Sequence, residues 1–182
     1  MAYPTNQCCI IGKTKETWGE FSNMAAFPIV INDVTILTSE ALYQALKYPE
    51  YPEIQKKIIE KKSPMAAKMV QKPFRNFIRD DWNDIKIEVM KWCVELKFYQ
   101  HKETLIQLLN ETEEKYIAES SRKDTFWGCK IEGGFLIGQN ILGKIWMDIR
   151  ENPKPPTNPI LPQIENFKLL GSTTNDTYFQ FR

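Results

Sequence analysis

Apolar residues recur at spacings of three and four through Ile85, Val89, Trp92, Cys93, Leu96 and Tyr99. That stripe predicts a long helix from about Trp82 to Gln100, opened by Asp80 or Asp81 and facing a core on one side. A second stripe, Ile141, Leu142, Ile145, Trp146 and Ile149, predicts a helix starting at Gln139 or Asn140. Short apolar runs at 7–13 and 26–37 read as strands, and Asn32-Asp33 divides the latter as a tight hairpin turn. The stretch Trp18 to Asn23 between them reads as a loop. Thr38 or Ser39 caps the next helix, which Pro49 and Pro52 stop. A short charged helix follows at 53–61. Ser63 as cap and Pro64 in the first turn open another across Met65 to Val70. A helix at 102–110, a strand from Lys115 to Ser120 and one at Phe135 to Ile137 complete the pattern. Helices dominate and strands are few and short, which makes the class α+β and the body one compact domain.

After Arg150 the pattern changes. Pro153, Pro155, Pro156, Pro159 and Pro162 predict an extended segment. The expected organisation is therefore a domain over 1–152 and a proline-rich extension over 153–182. The aromatics between Phe167 and Arg182 equip its end to dock on the domain or to pair as a strand.

Composition narrows the partners. Lys+Arg 24 against Asp+Glu 23 leaves a net charge of +1, so the whole chain makes no electrostatic case for nucleic acid, although a local basic patch is compatible with that average. Cys8, Cys9, Cys93 and Cys129 lack metal-binding spacing, and His101 is the single histidine. The expectation is free thiols in a reducing cytoplasm, with no metal and no cofactor. No apolar run approaches about 20 residues, so no membrane span is expected. The N-terminus shows no basic region followed by an apolar core, so no secretory signal is expected either.

Chemistry-bearing side chains concentrate in two stretches. On the helix after Ser39, Glu40, Tyr43, Gln44 and Lys47 share one face, while Ala41, Leu42, Ala45 and Leu46 occupy the other. Glu40 lies in the first turn, where the helix dipole favours a carboxylate. The face is either a solvated surface with an ion pair or a row of groups facing a cleft, and spacing does not decide between them. In the second stretch Asp124 precedes Phe126, Trp127 and Gly128. It is either a capping aspartate with two core anchors or a carboxylate beside plates for a planar ring. Trp82 is open in the same way, as helix-start anchor or stacking plate. The glycine-bearing run from Gly133 to Gly143 leads into a helix and could hold phosphate on backbone N–H groups. It lacks a P-loop lysine and the dinucleotide spacing.

Taken in order, these pieces resemble the NADAR superfamily, which includes the riboflavin-pathway N-glycosidases. The matching segments are Phe21-Ser22-Asn23, Thr38-Ser39-Glu40 with Tyr43-Gln44-Ala45 and Lys47, Ser63-Pro64 with Ala66-Ala67-Lys68, and Asp81-Trp82. Val89-Met90, Lys97-Phe98, Gln100-His101, Asp124 to Gly128 and Gly138 to Lys144 with Met147 and Arg150 continue the series over residues 18–150. Two departures stand out. Thr38 and Leu42 occupy positions where the family usually has a second serine and an aromatic. The run Met65 to Lys72 stands where the family usually has an arginine-bearing sequence.

The resemblance implies a mainly helical α+β enzyme that hydrolyses N-glycosyl bonds without a cofactor. The implied substrates are nucleotide-like: ribosylamino-pyrimidine phosphates of riboflavin synthesis, or ADP-ribose attached to guanine, including ADP-ribosylated nucleic acid. The near-neutral charge weighs against a dedicated nucleic-acid enzyme, yet one modified nucleotide needs only a local pocket. The expectation leans to ADP-ribose. Glu40 would be the principal carboxylate and Asp124 the second, stabilising positive charge at the anomeric carbon. Lys47 would bind phosphate or assist the leaving base, with a Schiff base to a ring-opened sugar as a variant. Trp82 and Trp127 would stack on the base. Asn23, Tyr43, Gln44, Phe126, Gly128 and Asn140 would complete the binding set, so that the Glu40 helix and the Asp124 loop form two walls of one pocket. The competing readings are a domain that binds ADP-ribose without turnover, and an interaction module that docks through residues 153–162.

Overall fold

The computed structural model describes residues 1–153 and 162–173. Most of the proline-rich segment, and the end beyond Thr173, lie outside the described residues, and with them the expectation of a docking peptide. The chain forms two compact units, Met1–Ala25 with His101–Pro155, and Ala26–Gln100 with Pro156–Arg182. Among the described residues no helix is long and apolar enough to cross a membrane.

In the first unit, β1 (Ala2–Pro4), β7 (Phe135–Gly138) and β6 (Cys129–Glu132) form an antiparallel sheet in that order. Gly133 and Gly134, both at positive φ, make the two-residue turn between β6 and β7. β2 (Cys8–Ile11) pairs in parallel with β5 (Tyr116–Glu119). Helix α6 (Ile141–Glu151) packs on β5 so closely that a Cβ on Gly143 would lie 2.1 Å from the Ile117 carbonyl oxygen. Helix α5 (Lys102–Glu111) runs beside α6. Strands β1 and β6 escape the sequence pattern. β1 spans only three residues, and Lys130, Ile131 and Glu132 of β6 are all exposed, so no alternation marks it.

In the second unit the expected hairpin is present. β3 (Ile29–Ile31) and β4 (Val34–Ile36) pair antiparallel, with Asn32 at φ 49 and Asp33 at φ 62. Four helices follow: α1 (Ser39–Ala45), α2 (Pro52–Ile59), α3 (Pro64–Val70) and α4 (Trp82–Gln100). Thr38 Oγ1 accepts from Ala41 N at 3.1 Å and Ser63 Oγ from Ala66 N at 3.4 Å, so both expected caps form. Pro52 begins α2 at its first turn, where a missing N–H is harmless, besides lying beyond the end of α1.

Helix α4 departs from the expected one-sided stripe. Val89, Met90, Trp92, Cys93, Val94, Leu96, Lys97 and Phe98 are all buried, while Ile85 and Tyr99 are half-buried. The cause is that α4 is covered from several directions. α1 and β3 pack on it, and the ring of Phe167 meets Trp92 edge-on at 5.1 Å. Gln100 pairs both of its amide atoms with the main chain of Val30 at 2.8 Å, fastening β3 to the helix.

Residues 162–173 end in the small hairpin of β8 (Lys168–Leu169) and β9 (Ser172–Thr173). Gln55, fully buried on α2, donates to the carbonyls of Ala45 at 3.2 Å and Lys168 at 2.9 Å and accepts from Leu170 N at 2.6 Å. Arg79 holds Asp81 through two hydrogen bonds, 2.5 and 2.8 Å, and donates to the Glu165 carbonyl at 2.7 Å.

Candidate active site

The second unit gathers Glu40, Tyr43, Gln44, Lys47 and Trp82. Helix α1 buries every residue from Ser39 to Ala45, so the solvated-face reading of Glu40, Tyr43 and Gln44 does not hold; Glu40 is 6% exposed. Such a carboxylate needs partners. Gln44 Nε2 donates to Glu40 Oε1 at 2.8 Å, and Lys68 Nζ of α3 lies 3.9 Å from the same oxygen. Gln44 Oε1 is buried and, among the described residues, has no hydrogen-bond partner. The Cys93 thiol of α4 is held well above its ordinary pKa by burial and then by the negative charge of Glu40, so it is a neutral neighbour.

Lys47 lies just beyond α1, half-buried, with Nζ 5.4 Å from the ring centre of Tyr43 and 5.4 Å from that of Trp82. The two rings meet at 4.9 Å and 55°. Burial pushes the Lys47 amine down to about 8; the charge of Glu40 opposes the shift and that of Lys68 adds to it. Arg79 N donates to the Lys47 carbonyl at 3.0 Å and so fixes the turn leading to Trp82, the first residue of α4. Trp82 thus anchors the start of α4 and sets its ring against Tyr43 and the Lys47 amine. Together these groups present a carboxylate, an amine of lowered basicity and two aromatic faces.

The first unit gathers the other set. Asp124 Oδ1 accepts from Phe126 N and Trp127 N, each at 2.9 Å, and Ser121 Oγ accepts from Asp124 N at 3.0 Å. The carboxylate therefore shapes the loop that presents Phe126 and Trp127, two half-buried rings meeting edge-on at 5.0 Å. The loop then docks on the start of α6. Gln139, Asn140, Ile141 and Leu142 donate their N–H groups to the carbonyls of Thr125, Gly128, Phe126 and Trp127. Those donors are engaged, which removes the phosphate-cradle reading of the glycine run. A Cβ on Gly128 would lie 2.8 Å from the Glu119 carbonyl oxygen, so this position needs glycine for close approach to β5.

Asn140 is fully buried, and its side chain replaces a strand neighbour for β5. Glu119 N donates to its Oδ1 at 3.1 Å, and its Nδ2 donates to the Ile117 carbonyl at 2.9 Å. Both ends of the amide are taken by main chain, which gives Asn140 a structural job. Asn23 is buried in the segment after a short 3-10 helix, and Trp146 Nε1 anchors that helix by donating to the Phe21 carbonyl at 2.8 Å. Lys68 is the residue that pattern reading passed over. It stood in a matching motif, but its pairing with Glu40 brings together two helices and carries no local signal.

The comparisons with known proteins agree on one family. The NADAR domain profile matches residues 11–152. The chain is 35% identical over 138 residues to an Escherichia coli protein named N-glycosidase YbiA, covering 76% of this chain and 83% of that one. An N-glycosidase from Nostoc punctiforme is 32% identical over 141 residues, covering 76% and 88%. A Vibrio vulnificus riboflavin biosynthesis protein is 34% identical over 136 residues, 75% of this chain and 36% of that longer one. The solution structure of Escherichia coli YbiA superposes with a TM-score of 0.65 at 35% identity, covering 79% of this chain and 84% of that one. The motif resemblance is borne out, and the chain belongs to the NADAR domain family.

Proposed function

We propose that the chain removes an ADP-ribosyl group from guanine by hydrolysing the N-glycosyl bond, with Glu40 and Lys47 as its reacting side chains. That it is a hydrolase of N-glycosyl bonds follows from its family and from relatives named N-glycosidases over most of its length. The observation that carries the assignment of roles is the pairing of a buried carboxylate with an amine lowered to about 8 within one helix and the turn after it. Breaking a ribosyl C–N bond builds positive charge at the anomeric carbon, which Glu40 stabilises or meets with activated water. An ordinary lysine is a poor acid at neutral pH. Burial makes Lys47 acidic enough to protonate the departing base. Tyr43 and Trp82 supply faces for the base. Asp124 holds the Phe126–Trp127 pair in place.

The same lowered value favours a second route. A lysine near 8 has a free-amine fraction far above that of an ordinary lysine at neutral pH. That amine can attack C1 of the ring-opened glycoside and displace the base, which leaves with a proton. Water then hydrolyses the resulting imine to the free sugar and the lysine amine.

The direct experiment supplies ADP-ribosylated guanosine and, separately, a ribosylamino-pyrimidine phosphate, and measures sugar release. Turnover of the first and not the second is expected, with loss of a hundredfold or more in Glu40→Gln. Preference for the pyrimidine phosphate would move the chain to the riboflavin intermediates. Tight binding of ADP-ribose with turnover of neither would make it a binding module. Borohydride added during turnover separates the routes, since only an imine leaves a permanent mass increase at Lys47.

A further inference from the structure

Cations are distributed unevenly along this nearly neutral chain. Between Lys56 and Arg79 stand eight Lys and Arg against one acid, Glu60, which leaves sixteen against twenty-two elsewhere. A net charge of +1 for the whole therefore conceals a surplus of seven in one segment and a deficit of six outside it. The segment lies within the second unit, and Lys56, Lys57, Lys61, Lys62, Lys68, Lys72 and Arg75 are all exposed. Glu60 is 3.8 Å from Lys56, and Arg79 is held by Asp81. Among the described residues Lys61, Lys62, Lys72 and Arg75 form no ion pair.

Apolar groups are set among these charges. On α3, Met65, Lys68 and Met69 fall at i, i+3 and i+4, and Lys72 continues the row past the helix end. Met65 is 55% exposed, Met69 45% and Phe77 45%. Lys57 of α2 lies 5.1 Å above the ring of Phe74, while Phe77 rests its ring against Tyr51 at 5.0 Å in a cavity it shares with Glu50, Asp80 and Asp81. Only Ala67 of α3 is buried, so core packing does not account for this sequence. The middle of the row is Lys68, whose Nζ reaches to 3.9 Å from Glu40. The exposed stripe thus leads from solvent to the carboxylate of the candidate site.

We propose that this face is a binding track for single-stranded nucleic acid, delivering a modified base to the Glu40 site. The proposal rests on the reading of that site as one that frees a sugar from a base. Closely spaced cations without acid partners match a phosphate backbone, and the exposed Met65 and Met69 with the half-buried ring of Phe74 between them match unstacked bases. A single strand suits the chemistry, because a base held in a duplex stack keeps its glycosidic bond out of reach. A membrane fits less well: α3 has under two full turns, and its exposed face alternates lysine with methionine instead of presenting one apolar side.

The test is binding of the full chain to a short labelled, unmodified single-stranded oligonucleotide, followed by anisotropy between about 50 and 200 mM salt. Binding that weakens with salt is expected. Lys62→Ala/Lys72→Ala/Arg75→Ala should lower affinity tenfold or more and reduce the salt slope by about 2, from about 0.7 per phosphate contact on a single strand. The charge-preserving Lys62→Arg/Lys72→Arg/Arg75→Lys should retain binding. Lys13→Ala/Lys15→Ala/Lys130→Ala, which removes equal charge from the first unit, should leave it unchanged. Hydrolysis of free ADP-ribosylated guanosine should change less than twofold in the track variant. Absence of oligonucleotide binding at low salt overturns the proposal, as does equal loss in both alanine variants, or binding to anionic phospholipid vesicles in place of the oligonucleotide. Because the oligonucleotide is unmodified, the binding result stands whether or not the glycosidase reading survives.

Discussion

Gln44 donates its Nε2 to Glu40 Oε1 at 2.8 Å, one turn along the same helix, and this contact fixes which way the amide points. A reversed amide would set oxygen against carboxylate. The consequence, among the described residues, is a buried Oε1 without a partner beside the Glu40 carboxylate. Leaving such an acceptor unmet costs about 1–3 kcal/mol, and the charge-assisted bond to Glu40 returns a similar amount. Gln44→Leu removes both but leaves the buried Glu40 carboxylate without that donor, so its unfolding free energy by urea titration should fall by about 1–3 kcal/mol with the protein still folded at low denaturant. Its kcat/KM should also fall tenfold or more, because Glu40 loses the group that orients it. Unchanged turnover in a folded Gln44→Leu protein would deny Gln44 any positioning role.

Lys47 makes stability depend on pH in a defined direction. Its folded value of about 8 lies below the unfolded 10.5. Below about 8 both states carry the ammonium, and the folded state bears its burial cost. Between about 8 and 10.5 the unfolded chain binds more protons than the folded one, so stability rises with pH across that window. Other groups titrate there too, so the informative quantity is the difference from Lys47→Met. The parent should gain unfolding free energy relative to that variant from pH 7 to pH 10, measured by chemical denaturation at each pH. A constant difference would mean that Lys47 is not desolvated.

Helices with a strong period were legible end to end, as α4 was from Trp82 to Gln100, because a core-facing stripe leaves its record in spacing. The β3–β4 hairpin was legible from Asn32-Asp33, and the caps at Thr38 and Ser63 from residue type. What pattern reading could not supply was tertiary. The burial of α4 on several sides, the pairing of Lys68 with Glu40 and the use of Asn140 by β5 depend on residues far apart in sequence. The same limit applies to Asp124, where both readings were compatible with the sequence and hydrogen bonds show that its Oδ1 shapes the loop.

Asp124 therefore calls for a paired comparison. Asparagine preserves the Oδ1 acceptor for Phe126 N and Trp127 N, whereas alanine removes it. Asp124→Asn should keep the parent stability within about 0.5 kcal/mol and its kcat/KM within about threefold. Asp124→Ala should lose about 1–3 kcal/mol for the two bonds and most of the turnover with it. A collapse of kcat in Asp124→Asn at unchanged stability would instead assign the charge itself a part in the reaction.

Asn140 resembled a substrate contact in the sequence, but its geometry predicts a fold variant. Removing its amide leaves Glu119 N and the Ile117 carbonyl unmet in the interior, each at about 1–3 kcal/mol. Its own backbone sits at φ 53, which asparagine tolerates better than most residues. Asn140→Ala should lower the urea midpoint by an amount corresponding to about 2–4 kcal/mol. The KM of whatever folded fraction remains should match the parent. A raised KM at full stability would return Asn140 to the binding set.

The C-terminal segment reaches the candidate site through Gln55. This side chain, inaccessible to solvent, ties the carbonyl of Ala45, the last residue of α1, to Lys168 and Leu170 of the tail. Cutting the chain after residue 161 would leave two of its three hydrogen bonds unmade and strip Phe167 from Trp92. It would also take the Glu165 carbonyl from Arg79, whose main chain holds the turn at Lys47. Orphaned polar atoms and a lost aromatic anchor together should lower unfolding free energy by several kcal/mol. The truncated chain should therefore melt well below the parent and lose turnover at temperatures where the parent is active. Gln55→Leu separates the parts of that effect. It leaves the Lys168 carbonyl and Leu170 N without their partner but retains Phe167 and the Glu165 contact, so the further loss expected in the truncation measures what those two contacts add. If the truncated chain matches the parent in both melting temperature and kcat/KM, the tail contacts contribute nothing to holding α1.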